Sequence, residues 1–241
     1  MSKRKSLLQG LPAALMVLSA AISISAQDPD VKHNSRPQQA VTSGVTGETK
    51  TEAVKYSYEF SQPKFYVKHI VLEHDSNGRG TVTFERLNED VPIVEPLQLS
   101  TEALARISSA WQALQFLDSN ADYQASKQFP HLGTMRIAME RGDRKRVAEF
   151  NWTNNSNASA LVNEYRKAAD QAILIFDISI ARQNQPLNMP KLMEAMESLF
   201  KRDALSDPKQ LLKLLDDLST DEHVPLIARN HALRLIKQIK K

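Results

Sequence analysis

Four polar side chains are the best candidates for acting together on a ligand. They lie where a loop meets a predicted β-hairpin, and they are His131, Arg136, Glu149 and Asn151. An imidazole, a guanidinium, a carboxylate and an amide on neighbouring strands can hold an anionic group or a partner strand through hydrogen bonds. The same residue types are typical of the solvated face of a sheet, and the sequence leaves both interpretations open.

The turn of the same hairpin carries a cluster of positive charge. Gly142 and Asp143 form the turn, and the basic side chains around it are those of Arg141, Arg144, Lys145 and Arg146. Such a cluster can attract a negatively charged partner, although a charged turn is also typical of a soluble hairpin. We predict that Arg141, Arg144 and Arg146 bind a partner together with the four polar residues above.

Three aspartates are the candidates for acid–base chemistry: Asp118, Asp122 and Asp177. Asp177 lies inside the apolar run of residues 172–181, where burial would raise the pKa of its carboxyl. An aspartate on a helix face, paired with Arg182 or with a backbone group, fits the same position. Hydrolysis of a glycosidic bond needs two carboxyl groups that face each other, so these residues suggest a carboxylate-dependent hydrolase as an alternative function.

Common catalytic signatures are absent from the sequence. It contains no G-x-S-x-G, H-E-x-x-H, Walker or G-x-G-x-x-G motif, and it has only 7 glycines and no cysteine. The lack of cysteine excludes disulfides, thiol catalysis and thiolate metal sites. His69 and His74 are an odd number of positions apart on a predicted strand, so they point to opposite faces and are poor ligands for one metal ion. We predict no metal and no cofactor.

The hairpin that carries the polar cluster has one apolar face. Met135, Ile137 and Met139 alternate along its first strand, and Ala148, Phe150 and Trp152 can meet them from its second strand. The cluster of Asn, Ser and Thr at residues 153–157 then indicates the start of a helix. We expect both tryptophans, Trp111 and Trp152, to lie in the core.

A long helix should follow the hairpin. From Ala158 to Ile180 apolar residues recur at steps of three and four positions. Residues 172–181 are apolar on nearly every side, so this half should be buried by several neighbours, although its β-branched residues also permit a strand. The run is shorter than the about 20 apolar residues that span a bilayer.

A similar unit precedes this one. Residues 56–60 alternate like a short strand, and residues 65–74 and 80–87 form a hairpin signal around Asn77-Gly78. Phe65, Val67 and Val71 are predicted to share a face with Val82 and Phe84, residues 91–99 form a connector, and a helix begins at Ser100. The order ββαββα predicts an α+β domain over residues 55–185, with an antiparallel sheet of two hairpins and helices on one face.

The N-terminus has the features of an export signal. Residues 1–26 combine a basic start, a short apolar stretch and a small-residue end, so we predict a signal peptide cleaved after Ala26 and a disordered linker over residues 27–54. Removing its three basic residues from the 31 Lys+Arg leaves 28, equal to the 28 Asp+Glu. A neutral mature chain gives no support to nucleic-acid binding. We expect a periplasmic or secreted bacterial protein without a membrane span after cleavage.

Residues 186–241 are predicted to form a helical C-terminal cap. Pro190 and Pro208 each lie at the start of a helix. The segments Leu211 to Leu218 and Val224 to Ile239 resemble a single unit of the HEAT-type helical repeat, with Pro225-Leu-Ile-Ala-Arg229 opening its second helix. This resemblance implies a surface for protein contact. The whole arrangement also resembles a family of uncharacterised exported bacterial proteins, a resemblance that implies no active site.

Taken together, these features favour a binding protein. We predict a non-enzymatic module of the bacterial envelope that binds another envelope protein or a peptide. The carboxylate-dependent hydrolase, for example one that acts on carbohydrates, is the alternative.

Overall fold

A computed structural model describes residues 53–241, and a six-stranded antiparallel sheet lies at the centre of this part of the chain. The strands lie side by side in the order β4-β3-β2-β1-β5-β6. Their bounds are β1 (Val54–Ser61), β2 (Val67–Asp75), β3 (Arg79–Arg86), β4 (Ile93–Gln98), β5 (Thr134–Arg141) and β6 (Arg144–Phe150). The predicted signal peptide and nearly all of the predicted linker lie outside the described residues, and β1 already begins at Val54.

Helices complete an α+β fold, as predicted. They are α1 (Thr101–Leu114), α2 (Ser156–Asn184), α3 (Met189–Lys201), α4 (Leu212–Thr220) and α5 (Leu226–Ile239). Short 3-10 turns occupy Pro130–Leu132, Pro186–Asn188 and Pro208–Leu211. Ser100 and Asn155 cap α1 and α2 by accepting hydrogen bonds from Ala103 N and Ala158 N. The part of the chain after β6 is therefore entirely helical or in loops, as expected for the C-terminal cap.

Side-chain alternation divides the sheet into a buried face and an open face. Tyr58, Leu72 and Ile137 are fully buried on the face that packs against α1 and α2. The β5–β6 hairpin pairs residues of the predicted apolar face, with Met135 opposite Phe150 and Ile137 opposite Ala148. The opposite face is rich in charged residues, including Glu59, Glu85 and Arg136. One apolar and one charged face are what a two-layer α+β sheet requires.

Two predictions about the first hairpin are wrong. Residues 93–98 are not part of a connector but form β4, an edge strand on which Pro96 is tolerated because a proline there need not donate to a second neighbour. The face assignment of β2 is also wrong, because Ile70 pairs with Phe84 and Leu72 pairs with Val82, whereas Val71 faces Thr83 on the open side. A register shift between Val67 and His69 reverses the alternation that the sequence suggested.

One of the two tryptophans lies outside the core. Trp111 is buried, as predicted, but Trp152 is 44% exposed. The prediction for Trp152 is wrong because β6 ends at Phe150, so the alternation does not continue to residue 152. Its ring packs edge-on against Phe129, with 5.2 Å between the ring centroids.

A chain of hydrogen bonds crosses the buried face. His74 Nδ1 lies 2.7 Å from the Asp75 carbonyl oxygen, which can only accept, so the proton is on Nδ1. Nε2 therefore accepts from the Tyr165 hydroxyl at 2.9 Å, and that hydroxyl accepts from Trp111 Nε1 at 2.8 Å. The network ties β2, α1 and α2 together with each of these polar atoms paired.

Helix α2 joins two hydrophobic clusters. Its buried residues up to Ile173, together with Phe176, pack in the cluster under the sheet, whereas Leu174, Ile178 and Ala181 pack with α3, α4 and α5. Residues 172–181 are helical, so the alternative of a strand is wrong. Burial on several sides is only partly correct, because Ile173, Leu174 and Ile178 are buried whereas Ile175 and Ile180 are exposed. No helix within residues 53–241 is long and apolar enough to cross a membrane.

Candidate functional site

The predicted polar cluster divides into two pairs. Arg136 and Glu149 are direct neighbours across β5 and β6 on the open face, and Arg136 Nη1 pairs with Glu59 Oε2 at 3.1 Å. Asn151 lies after the end of β6, where its side-chain oxygen accepts from the backbone N–H of Phe129 at 3.0 Å. His131 belongs to the Pro130–Leu132 turn, and its ring packs edge-on against Phe129.

Two of the three predicted arginines at the hairpin tip hold a loop of the protein itself. Arg144 donates to Asp118 Oδ1 at 2.5 Å and to the Leu117 carbonyl at 2.8 Å. Arg146 lies opposite Met139, on the face covered by helices, and donates to the carbonyls of residues 116 and 121, each at 2.6 Å. Arg141 is exposed and makes no ion pair with any residue that the structure describes. Among these three arginines, Arg141 is therefore the one whose side chain does not hold the loop in place.

The three candidate aspartates have different partners. Asp118 pairs with Arg144, and Asp122 accepts from the Gln124 backbone N–H at 2.9 Å. Asp177 is a paired aspartate, but its partner is Arg86 of β3. Arg182, the partner that the sequence suggested, pairs instead with Asp221 at 2.6 Å.

The histidines His69 and His74 lie on opposite faces of the sheet, as predicted. His69 bridges Glu59 and Glu85 on the open face, with 3.0 Å from a ring nitrogen to each carboxylate. His74 is buried in the network with Tyr165. Among residues 53–241, no group of three or more His, Cys, Asp or Glu side chains is placed to hold a metal ion.

Two large adjoining cavities lie between α2 and the sheet. The first has a volume of about 580 Å³. Its walls are largely apolar and come from the end of β6, the start of β5 and the first half of α2. They include Phe65, Leu132, Met135, Phe150, Trp152 and Val162.

The second cavity has a volume of about 610 Å³ and lies beside the first. Phe65 and Arg166 line both cavities, so the two cavities adjoin at these residues. The second cavity is otherwise lined by β1, the β1–β2 loop and α2, and Tyr66 on its wall is 60% exposed. We call the two cavities together the α2 groove.

Both cavities also have polar side chains on their walls, and two of these lack an ionic or hydrogen-bonded partner among residues 53–241. Arg166 forms no ion pair with a described residue, and its guanidinium lies over the Phe60 ring, 5.6 Å from the centroid. The Tyr58 hydroxyl is buried and makes no hydrogen bond with any residue that the structure describes. Burial raises the pKa of Tyr58 to about 12, although the nearby Arg166 lowers it, and no hydrogen bond of normal geometry joins the two groups.

Asp170 and Lys64 are the other charged groups of the second cavity. Removal from water raises the pKa of the Asp170 carboxyl, even though the residue as a whole is exposed, and the charges of Arg166 and Arg202 oppose that rise. The second cavity therefore has one acidic and two basic side chains, which favours an apolar ligand with a negative charge.

Sequence reasoning missed most of the α2 groove. Among the predicted binding residues, Asn151 lines the first cavity. One sequence feature did point to the groove. Phe65 and Tyr66 are two adjacent aromatic residues shortly after Pro63, in the loop just before β2. Arg166 carries no such signal, because a charged residue on an amphipathic helix is ordinary.

No known family model matches this chain, and no curated protein shows significant sequence similarity to it.

Proposed function

We propose that this protein is an exported, non-enzymatic module that binds an apolar segment of a peptide or of another envelope protein in the α2 groove. The observation that carries the proposal is the pair of adjoining cavities, each of a size that takes a large side chain, with exposed aromatic rings on their walls. Exposed apolar surface with a few polar groups is typical of binding sites.

The hairpin tip is the competing surface. Arg144 and Arg146 are engaged with the loop after α1, which leaves Arg141 as the arginine best able to contact a partner. The α2 groove offers more apolar area than this single cation, and burial of apolar area is the main driving force of association. We therefore assign the primary contact to the groove.

The alternative function, a carboxylate-dependent hydrolase, would need two carboxyl groups converging on one substrate. Asp118, Asp122 and Asp177 make contacts with three different parts of the chain, and none of them lines the α2 groove. The groove itself contributes one carboxylate, that of Asp170. These contacts support binding over hydrolysis.

Export through the predicted signal peptide would place the groove in the periplasm or outside the cell. The basic start and short apolar stretch of residues 1–26 support this location. N-terminal sequencing of the protein recovered from the envelope fraction of an expressing bacterium should begin at Gln27. Recovery of the intact chain in the cytoplasm would contradict export.

A groove-filling variant tests the binding function. The purified protein would be panned against a random peptide library, and the affinities of selected peptides would be measured by calorimetry. Ala160 is an exposed residue of α2 that lines the first cavity, so the ring of Ala160→Phe should obstruct that cavity and weaken binding by at least about tenfold. Ala105→Phe makes the same change on the exposed face of α1 and should leave the affinity unchanged.

The same peptides distinguish the groove from the hairpin tip. If the tip were the binding surface, Arg141→Glu would abolish binding while Ala160→Phe had no effect. That pattern would overturn the assignment to the α2 groove. Failure to select any peptide that binds the unmodified protein would overturn the peptide-binding function itself.

A further inference from the structure

The residues at the junction between the two cavities indicate which chemical group a ligand of the α2 groove should have. Phe65 and Arg166 are the residues that line both cavities. Arg166 therefore lies where the two cavities meet, and its guanidinium lies over Phe60 on the wall of the second cavity. This position constrains what a ligand must carry at its middle.

Unlike Lys167 and Arg182, the other basic residues of α2, Arg166 makes no ion pair with a described residue. Lys167 pairs with Asp203 at 2.8 Å, and Arg182 pairs with Asp221 at 2.6 Å. Arg166 has no carboxylate within ion-pair distance among residues 53–241, although Asp170 follows one turn later on the same helix. Instead it lies over the Phe60 ring. A guanidinium beside apolar surface without a counter-ion is suited to a planar carboxylate from a ligand.

Tyr58 offers a second donor in the second cavity. Its hydroxyl is buried without a hydrogen-bond partner in the described part of the chain, which is unfavourable unless a ligand supplies an acceptor. Arg166 lines the same cavity as Tyr58, and its charge lowers the pKa of the Tyr58 hydroxyl. Because burial raises that pKa to about 12, the hydroxyl keeps its proton and can donate at neutral pH.

We propose that the α2 groove selects peptide segments in which an acidic side chain stands between two apolar side chains. This inference rests on the peptide-binding function proposed above. Each cavity takes one apolar side chain, and the carboxylate between them accepts hydrogen bonds from Arg166 and from the Tyr58 hydroxyl. Lys64 on the second cavity adds positive charge that offsets the acidic Asp170.

The middle position of Arg166 favours a peptide over a fatty acid. The carboxylate of a fatty acid lies at one end of a single chain, so pairing it with Arg166 would leave one of the two cavities unfilled. In an extended peptide, alternate side chains share a face, so positions i, i+2 and i+4 can place an apolar, an acidic and an apolar group in a row. This pattern matches the order of cavity, guanidinium and cavity.

Two synthetic peptides test the inference by calorimetry. Both are acetylated and amidated, with the sequence Ser-Phe-Ser-X-Ser-Phe-Ser, where X is Glu in one and Gln in the other. We expect the unmodified protein to bind the Glu peptide at least about tenfold more tightly than the Gln peptide. Arg166→Gln should reduce this ratio to near unity, whereas Arg141→Gln, which removes an equal charge at the hairpin tip, should preserve it.

Tyr58→Phe provides a second variant that keeps the aromatic ring. It should reduce the preference for the Glu peptide without weakening binding of the Gln peptide. Thermal unfolding of each variant would show that it is folded, so that a lost preference is not a lost structure. Laurate is included as a fatty-acid probe.

The outcomes separate this inference from the proposed function. Equal binding of both peptides, or a preference that survives Arg166→Gln, would overturn the acidic selectivity and leave peptide binding standing. Binding only of library-selected peptides without an acidic residue would have the same meaning. Tighter, Arg166-dependent binding of laurate would assign the groove to an amphiphile and overturn the inference. If no peptide of either origin binds, both proposals fall.

Discussion

Two histidines on one strand show how the environment of a residue decides its chemistry. His69 lies on the open face between two carboxylates, and His74 lies on the buried face in a network with Tyr165 and Trp111. Their pKa values are displaced in opposite directions, upward for His69 and downward for His74. The stability of the protein should therefore depend on pH in two separable ways.

His74 should make the protein sensitive to acid. Burial lowers the pKa of His74, and the hydrogen bond to the Asp75 carbonyl and the charge of Asp75 oppose this only in part. An unfolded histidine takes up a proton near pH 6.5, so stability falls as the pH drops through that value toward the lower folded pKa. We expect a loss of about 1 kcal/mol between about pH 7.5 and about pH 5 that is absent from His74→Gln, measured by urea unfolding. An equal loss of stability in the unmodified protein and in His74→Gln would contradict this role of His74.

His69 should stabilise the protein in acid and lose that effect in alkali. Burial lowers the pKa of His69, but hydrogen bonds to Glu85 and Glu59 and their charges raise it above the ordinary value. Protonated His69 thus makes its full contribution to the stability of the folded protein below about pH 6.5. This contribution disappears as the pH rises through the pKa of His69 in the folded protein. His69→Gln should cost up to about 1 kcal/mol at about pH 5.5 and less at about pH 8.5. An equal cost at both pH values would argue against this ion-pair triad.

The Tyr58 hydroxyl should cost stability in the absence of ligand. It is buried without a partner, whereas the ring stacks on Tyr165 with 5.3 Å between centroids. Tyr58→Phe keeps the ring and removes the unpaired group, so we expect a gain of about 1 kcal/mol in the free energy of unfolding. Tyr165→Phe is the matched control, because it leaves His74 Nε2 and Trp111 Nε1 unpaired and should cost about 2 kcal/mol. A loss of stability in Tyr58→Phe would contradict the prediction.

At the scale of elements, the β5–β6 hairpin holds the loop between α1 and β5 in place. Arg146 donates to the backbone of residues 116 and 121, and its guanidinium lies 4.6 Å from the Phe116 ring centroid. Arg146→Gln should therefore speed hydrogen exchange in residues 116–125 and lower stability by about 1–2 kcal/mol. Arg141→Gln should do neither. Unchanged exchange in Arg146→Gln would show that the loop is held by other contacts.

This contact limits how the hairpin tip can be tested. Reversing Arg141, Arg144 and Arg146 together would release the loop as well as remove charge. A loss of binding in such a variant would then have two explanations. Arg141 alone is the informative position.

The alternation of apolar and polar residues predicts some strands correctly and gives wrong assignments for others. The β5–β6 hairpin follows from apolar residues at every second position and from Gly142, whose φ of 54° suits the turn. Trp152 was misassigned because nothing in the alternation marks the end of β6 at Phe150. The face of β2 was misassigned because a register shift near Val67 leaves no mark in a single sequence.

At the scale of the whole molecule, the α2 groove is a product of tertiary structure. Phe65 comes from the β1–β2 loop, Trp152 follows β6, and Arg166 lies on α2. These segments are far apart in sequence and meet because β1 lies between β2 and β5 in the sheet. Spacing along the chain cannot reveal such a meeting, so the fold class was predictable and most of the candidate site was not.

Occupation of the α2 groove should stabilise the entire described part of the chain. A ligand that binds only the folded protein adds about 2.7 kcal/mol at a free concentration about 100 times its Kd. For a chain of this size that corresponds to a rise in Tm of roughly 5–10 °C. We expect this rise with a library-selected peptide, together with a blue shift of Trp152 emission as its exposed ring is covered.

The two tryptophans and one variant separate groove binding from binding elsewhere. Trp111 is buried and should not respond, so the emission change reports on Trp152 in the first cavity. Ala160→Phe should show a clearly smaller rise in Tm at the same peptide concentration and should need more peptide to reach the blue shift, because its ring occupies space that the ligand needs. A rise in Tm that persists in Ala160→Phe without a change in emission would mean that the peptide stabilises the protein from another surface, because linkage depends on affinity for the folded state wherever the site lies.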